Sequence, residues 1–133
     1  MKLTLASLAA ALGLLISAVP VLAHHSFAAE YDSNKPVTLK GTVSKVEWTN
    51  PHARFYVDVK DDSGKVTTWN LELASPNVLS RNGWGRNTVK VGDAVTVNGS
   101  MAKDGANLAN ARTVVLADGR KVFAGSQGEQ DGK

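Results

Sequence analysis

Short runs of alternating apolar and polar positions, separated by Gly, Asp, Asn and Ser, recur from Val37 to Phe123. The first run places Val37, Leu39 and Val43 on one face. It resumes one step out of phase at Val46 and Trp48, after Ser44-Lys45. A phase slip close to Gly41 predicts a strand with a bulge or strong coil. Asn50-Pro51 breaks that strand. The second run sets Phe55, Val57 and Val59 against Arg54, Tyr56, Asp58 and Lys60. Asp61-Asp62-Ser63-Gly64 is a tight turn, and the third run aligns Thr67, Trp69, Leu71 and Leu73. The period of two makes each a half-buried strand.

The texture then changes. Ser75-Pro76-Asn77-Val78-Leu79-Ser80-Arg81 has a capping serine, proline at the first helical position and an apolar pair, which predicts a helix of about two turns ended by Asn82-Gly83. A turn at Val91-Gly92-Asp93 leads to a fourth strand with Val95 and Val97. Asp104-Gly105 reverses the chain into a fifth, Ala109 to Leu116. Asp118-Gly119 precedes a short last strand near Val122-Phe123. Three strands, a short helix, then two or three strands is the order of an all-β, five- to six-stranded OB-like barrel with its helix between strands 3 and 4. An open β-sandwich is the alternative that the pattern leaves standing.

Ahead of the alternation lies a different segment. Lys2, an apolar run from Leu3 to Val19, Pro20 and Val21-Leu22-Ala23 form a secretory leader with its cut after Ala23. The run is Ala-rich and ends in a processing site, unlike an anchor of ~20 strongly apolar residues. The expected division is a cleaved leader over 1–23, an N-terminal arm over 24–36, the barrel over 37–124 and a polar Gly-rich tail over 125–133. Localisation is expected to be periplasmic or secreted, with no membrane insertion after cleavage.

Composition narrows the function classes. The chain of 133 residues carries 15 basic and 12 acidic side chains, and Lys2 departs with the leader. The remaining charges are interspersed, so they raise no field suited to a polyanion. There are no cysteines, hence neither disulfide staples nor a thiolate metal site. Carboxylates are scattered, Gly83-Trp84-Gly85 follows a helix end rather than a strand, and Ser26 beside His25 lacks an orienting acid and an oxyanion hole. The residues point to a binding protein, not an enzyme.

Two ligand chemistries can be read from the residues. Cleavage after Ala23 makes His24 the amino terminus, where the α-amine, with a pKa near ~7.7, and the imidazole of one residue chelate a single metal ion. A further imidazole from His25 or from His52, in the Asn50-Pro51-His52 loop, makes an all-nitrogen site, which favours copper(II) among first-row divalent ions. The three histidines are the whole histidine complement of the chain. The other chemistry is an aromatic and cationic face, Trp48, Arg54 and Tyr56, for an envelope polymer or protein partner with no metal. Export argues against nucleic acid as the partner. A plain reading stands beside each: the histidines as a polar start and a turn residue, Trp48 and Trp84 as lids closing the barrel ends.

The stretches Ala23-His24-His25-Ser26-Phe27-Ala28-Ala29-Glu30-Tyr31-Asp32, Gly41-Thr42-Val43, Glu47-Trp48-Thr49-Asn50-Pro51-His52 and Asn107-Leu108-Ala109-Asn110-Ala111-Arg112 resemble a family of small exported bacterial proteins of unknown function. The likeness runs from about Ala23 to about Gly125. The resemblance implies export and one small domain, and brings no reaction, substrate or cofactor with it.

Overall fold

The structure, a computed structural model, describes residues 27–125. In chain order the elements are α1 (Phe27–Glu30), β1 (Tyr31–Glu47), β2 (Arg54–Lys60), β3 (Val66–Glu72), α2 (Pro76–Arg81), β4 (Ala94–Ala102), β5 (Leu108–Val115) and β6 (Lys121–Phe123).

β1 is long because it serves two partners. Pro36–Thr42 runs antiparallel to Ser100–Ala94 of β4, and Thr42–Glu47 runs antiparallel to Asp58–Arg54 of β2. The strand bends where these pairings meet, and the register slips between Val43 and Lys45, where the phase of the alternation breaks. Gly41 permits the crossing. A Cβ there would sit 2.2 Å from the Asp58 carbonyl oxygen and 2.8 Å from Val57 Cγ1, closer than any side-chain carbon tolerates. Gly99 plays the same part on β4, where a Cβ would lie 2.0 Å from Asn110 O, beside the register shift between Asn98 and Gly99.

The sheet closes on itself. β2 pairs with β3, β4 with β5, and β3 meets β5 in parallel through Asn70–Glu72 against Leu108–Asn110. Strands β1, β2, β3, β5 and β4 thus form a ring, which establishes the OB-like barrel and excludes the open sandwich. β6 extends β5 at Thr113–Val115, and the Ala74 amide donates to Ala124 O at 2.9 Å, tying this last segment to the chain that leaves β3.

Inward positions follow the alternation. Leu39, Val43, Phe55, Val57, Leu71, Leu73, Val95, Val97 and Val114 are all buried in one core. α2 adds Leu79, which is fully buried. Its first turn is capped by Ser75 Oγ, which accepts from the Val78 amide at 3.3 Å, and Pro76 opens the helix. Trp84 closes the barrel as a buried lid, its Nε1 donating to Phe123 O at 2.7 Å.

The amino-terminal side departs from the pattern. The chain joins the sheet at Tyr31, six residues ahead of Val37. The polar stretch Asp32–Lys35 does not alternate, and its pairing with β4 is irregular between Tyr31 and Pro36. α1, a single turn, has no helical signal of its own. Tertiary contacts hold it: the Lys103 amide donates to Glu30 O at 2.9 Å, and Lys103 Nζ donates to Ala28 O at 2.5 Å.

Candidate functional site

Side chains opposite the core residues point outward, and on β2, β3 and β5 several of them form one polar cluster. Phe55 and Leu71 face in, so their neighbours Arg54 and Glu72 face out, and the register sets these two directly opposite each other. The Arg54 guanidinium pairs with the Glu72 carboxylate through Nη2 and Oε2, and Nη1 donates to Asn70 Oδ1 at 3.2 Å. Across the parallel junction Glu72 neighbours Asn110. Asn110 is 4% exposed, and its Oδ1 has no hydrogen-bond partner among the described residues.

Tyr31 covers this cluster. Its hydroxyl donates to Glu72 Oε2 at 3.0 Å, and it is 2% exposed yet outside the hydrophobic core cluster. Phe27 stacks on it with ring centroids 5.6 Å apart. Burial first, then the negative charges of Glu72 and Glu30, push the Tyr31 phenol far above the usual tyrosine range, against a smaller opposing pull from Arg54. A buried phenolate next to a carboxylate would be costly, so the hydroxyl keeps its proton and acts as a donor.

His52 lies at the edge of the same face. The ladder between β2 and β3 continues past Arg54, with the Leu73 amide donating to Ala53 O at 2.9 Å and the Ala53 amide donating to Ala74 O at 3.1 Å. Ala53 is buried, which leaves His52 and Arg54 on the outer side. The His52 Nδ1 atom is 2.9 Å from Leu73 O. A carbonyl oxygen only accepts, so Nδ1 carries the hydrogen and donates. In the neutral ring the lone pair is therefore on Nε2, the arrangement by which proteins orient a metal-ligating or proton-accepting imidazole. The peptide bond before Pro51 is cis.

The residues expected from sequence to act together are only partly assembled. Trp48 is half-buried against the core, and with Arg54, Trp84 and Arg86 it borders a cavity of about 10 Å³, enough for at most a single water. Tyr56 does not border that cavity. It is half-exposed, and Lys45 Nζ sits 5.1 Å from its ring centroid while pairing with Glu47 at 2.6 Å. Trp48 and Arg54 border that cavity, Tyr56 shares the outer face of β2 with Arg54, opposite Asn70 and with Lys45 over its ring, and Arg54 is already committed to Glu72. His24 and His25 lie outside the described residues. Among the described residues no three His, Cys, Asp or Glu side chains cluster in a way that would hold a metal ion, and no helix is long and apolar enough to cross a membrane.

Sequence reasoning missed Tyr31, Glu72 and Asn110. Glu72 stands between two core leucines, the place of an ordinary outward residue. Its importance appears only with the register that opposes it to Arg54. Tyr31 precedes the alternating pattern altogether.

Residues 11–111 match the model of a family of unknown function (DUF6152), and the chain belongs to that family. No curated protein matches it. In overall shape the chain is similar to two crystal forms of the mitochondrial single-stranded DNA binding protein Rim1 from S. cerevisiae. One is 11% identical and aligns over 62% of this chain and 92% of that one with a TM-score of 0.49. The other is 12% identical, over 62% and 91%, with a TM-score of 0.44.

Proposed function

We propose that this protein is an exported, periplasmic barrel that binds a metal ion and performs no catalysis, with copper(II) held by the α-amine and imidazole of His24 after cleavage behind Ala23. His25 and His52 supply further imidazole nitrogens. The observation that carries this reading is the His52 ring: the hydrogen bond to Leu73 O fixes its tautomer and leaves Nε2 as an oriented donor at the outer surface. The arm supports it as well. Tyr31 is bonded to Glu72, the partner of Arg54, and carries Phe27 on its ring, and Phe27 follows His24 by three positions. Three extended steps span at most ~11 Å, which bounds the reach of the terminal chelate from Phe27. A donor set of nitrogens alone selects copper(II) over the other first-row divalent ions.

Calorimetric titration of the processed protein with copper(II) tests the reading. One tight equivalent is expected. Acetylation of the α-amine is expected to weaken binding by at least about a hundredfold, because it removes one tooth of the chelate and with it the high effective concentration of the second donor. Equal affinity for the amine-acetylated protein would overturn it.

A further inference from the structure

We infer that the outer wall of the barrel at the β3–β5 seam holds a binding site for a neutral vicinal diol, and that Tyr31 is the displaceable plug over it. The inference goes beyond the metal reading and does not depend on it. Glu72 and Asn110 are the two charged or amide side chains buried among the described residues, at 7% and 4% exposure. Their place on the wall does not account for this burial. Glu72 follows the core residue Leu71 and precedes Leu73, and Asn110 stands between Ala109 and Ala111 of the same core, so both point away from it. Residues on the outside of a barrel stay accessible unless something lies over them. The strand pairing identifies the cover. Tyr31 starts beside Ala102 on β4 and its hydroxyl ends at Glu72 on β3. Between these strands runs β5, with Asn110 opposite Glu72. The phenol therefore crosses the wall at Asn110.

Tyr31 is an incomplete occupant of that site. Its one hydroxyl serves Glu72 Oε2, while Asn110 Oδ1 has no hydrogen-bond partner among the described residues. A buried acceptor without a donor disfavours the covered state, and the molecule that gains most by replacing the phenol brings two donors. Glu72 and Asn110 are opposed on adjacent strands, ~4.8 Å apart, a separation that hydroxyls on neighbouring ring carbons bridge with one bond to each. The charge of Glu72 is already answered by Arg54, so a cationic ligand would meet the guanidinium and a neutral one does not. The plug can leave without opening the barrel. Phe27 and Tyr31 lie outside the core cluster, Ser33, Asn34 and Lys35 are exposed, and pairing with β4 lapses between Tyr31 and Pro36. Besides the phenol bond, Phe27–Tyr31 is held by the Ala102 pairing and by two bonds from Lys103, to Ala28 O and Glu30 O.

The test titrates the protein with catechol, resorcinol and phenol, and with a vicinal cyclohexanediol and cyclohexanol, in buffer containing a metal chelator. Nuclear magnetic resonance follows the Asn110 side-chain amide and hydrogen exchange at the Lys103 amide, which is bonded to Glu30 O. Catechol is expected to shift the Asn110 signal saturably, to speed Lys103 exchange and to bind at least about tenfold tighter than resorcinol or phenol, the worth of one added bond to a buried acceptor. Tyr31→Phe loses the bond that holds the plug down, so every probe should bind about tenfold tighter to it as the open population rises. Asn110→Leu should bring catechol and phenol to within about twofold of each other. Circular dichroism verifies that both variants are folded. Tighter binding of the cyclohexanediol than of catechol assigns the site to a saccharide-like ring, and the reverse to an aromatic diol. Equal affinity for catechol and phenol in both the parent and Tyr31→Phe, the result expected if water already serves Asn110, overturns the site. A catechol preference that persists in Asn110→Leu, or that leaves Lys103 exchange unchanged, places the binding elsewhere and overturns it as well.

Discussion

Replacing Tyr31 by phenylalanine removes one oxygen atom and isolates the contribution of a buried phenol bonded to a carboxylate. At pH 8 the hydroxyl of Tyr31 is protonated in both the folded and unfolded chain. Its bond to Glu72 Oε2, 3.0 Å long and inaccessible to solvent, involves a charged acceptor, and such bonds contribute ~1.5–3 kcal/mol. Tyr31→Phe should be less stable by about that amount. Raising the pH changes the comparison. In the unfolded chain the phenol ionises near pH ~10, but in the folded protein burial and the adjacent carboxylates hold its proton well above that point. Between those two values the unfolded state binds fewer protons than the folded one, so stability falls as pH rises, by ~1.4 kcal/mol per pH unit for a single group. At pH 11.5 the parent should have lost about 2 kcal/mol through Tyr31 alone, erasing most of its advantage over the phenylalanine variant. Urea denaturation followed by tryptophan fluorescence at pH 8, 10 and 11.5 reads the difference. Every other ionisable group is common to the two proteins, so its effect cancels in the comparison. A gap between the two proteins that stays constant over this range would show that Tyr31 ionises alike folded and unfolded, and the packing described above would be wrong.

Two further substitutions probe the barrel. Gly41→Ala drives a Cβ to within 2.2 Å of the Asp58 carbonyl, and the backbone shift this forces should cost ~3 kcal/mol, seen as a lowered urea midpoint with an unchanged slope; an unaltered midpoint would mean the two strands do not cross there. Trp84→Phe keeps an aromatic lid but removes the donor to Phe123 O, leaving that carbonyl unpaired at a cost of ~1–3 kcal/mol. Faster hydrogen exchange in the β6 segment should accompany it, and unchanged exchange there would count against the lid.

The strands were legible because each has one face in the core, and a half-buried strand writes a period of two into its sequence. The phase slip after Val43 became the bulge for the same reason. α2 was legible through Ser75 and Pro76, whose preferences are local. α1 was not, since Phe27–Glu30 is held by Lys103, 73 residues further along the chain than Glu30. The site divides in the same manner. His52 and Arg54 could be singled out by residue type. The alternation of β2 sets Arg54 and Tyr56 on one face beside the loop that follows Trp48, whereas the partner of Arg54 is Glu72, eighteen residues away, and that of Glu72 is Tyr31, forty-one residues away. Such pairings depend on register and on how the sheet closes, and no single stretch of residues encodes either.

The ring's parallel junction is made by only three pairs, Asn70–Glu72 with Leu108–Asn110. It is the shortest seam in the ring and joins segments nearly forty residues apart, so loop closure makes it slow to form. The Tyr31 side chain spans that seam from the far side and fastens on Glu72, one of its own stitches. The first strand residue thus serves as a clasp on the barrel's shortest join. Whatever tugs on that end also pulls on the wall of the barrel.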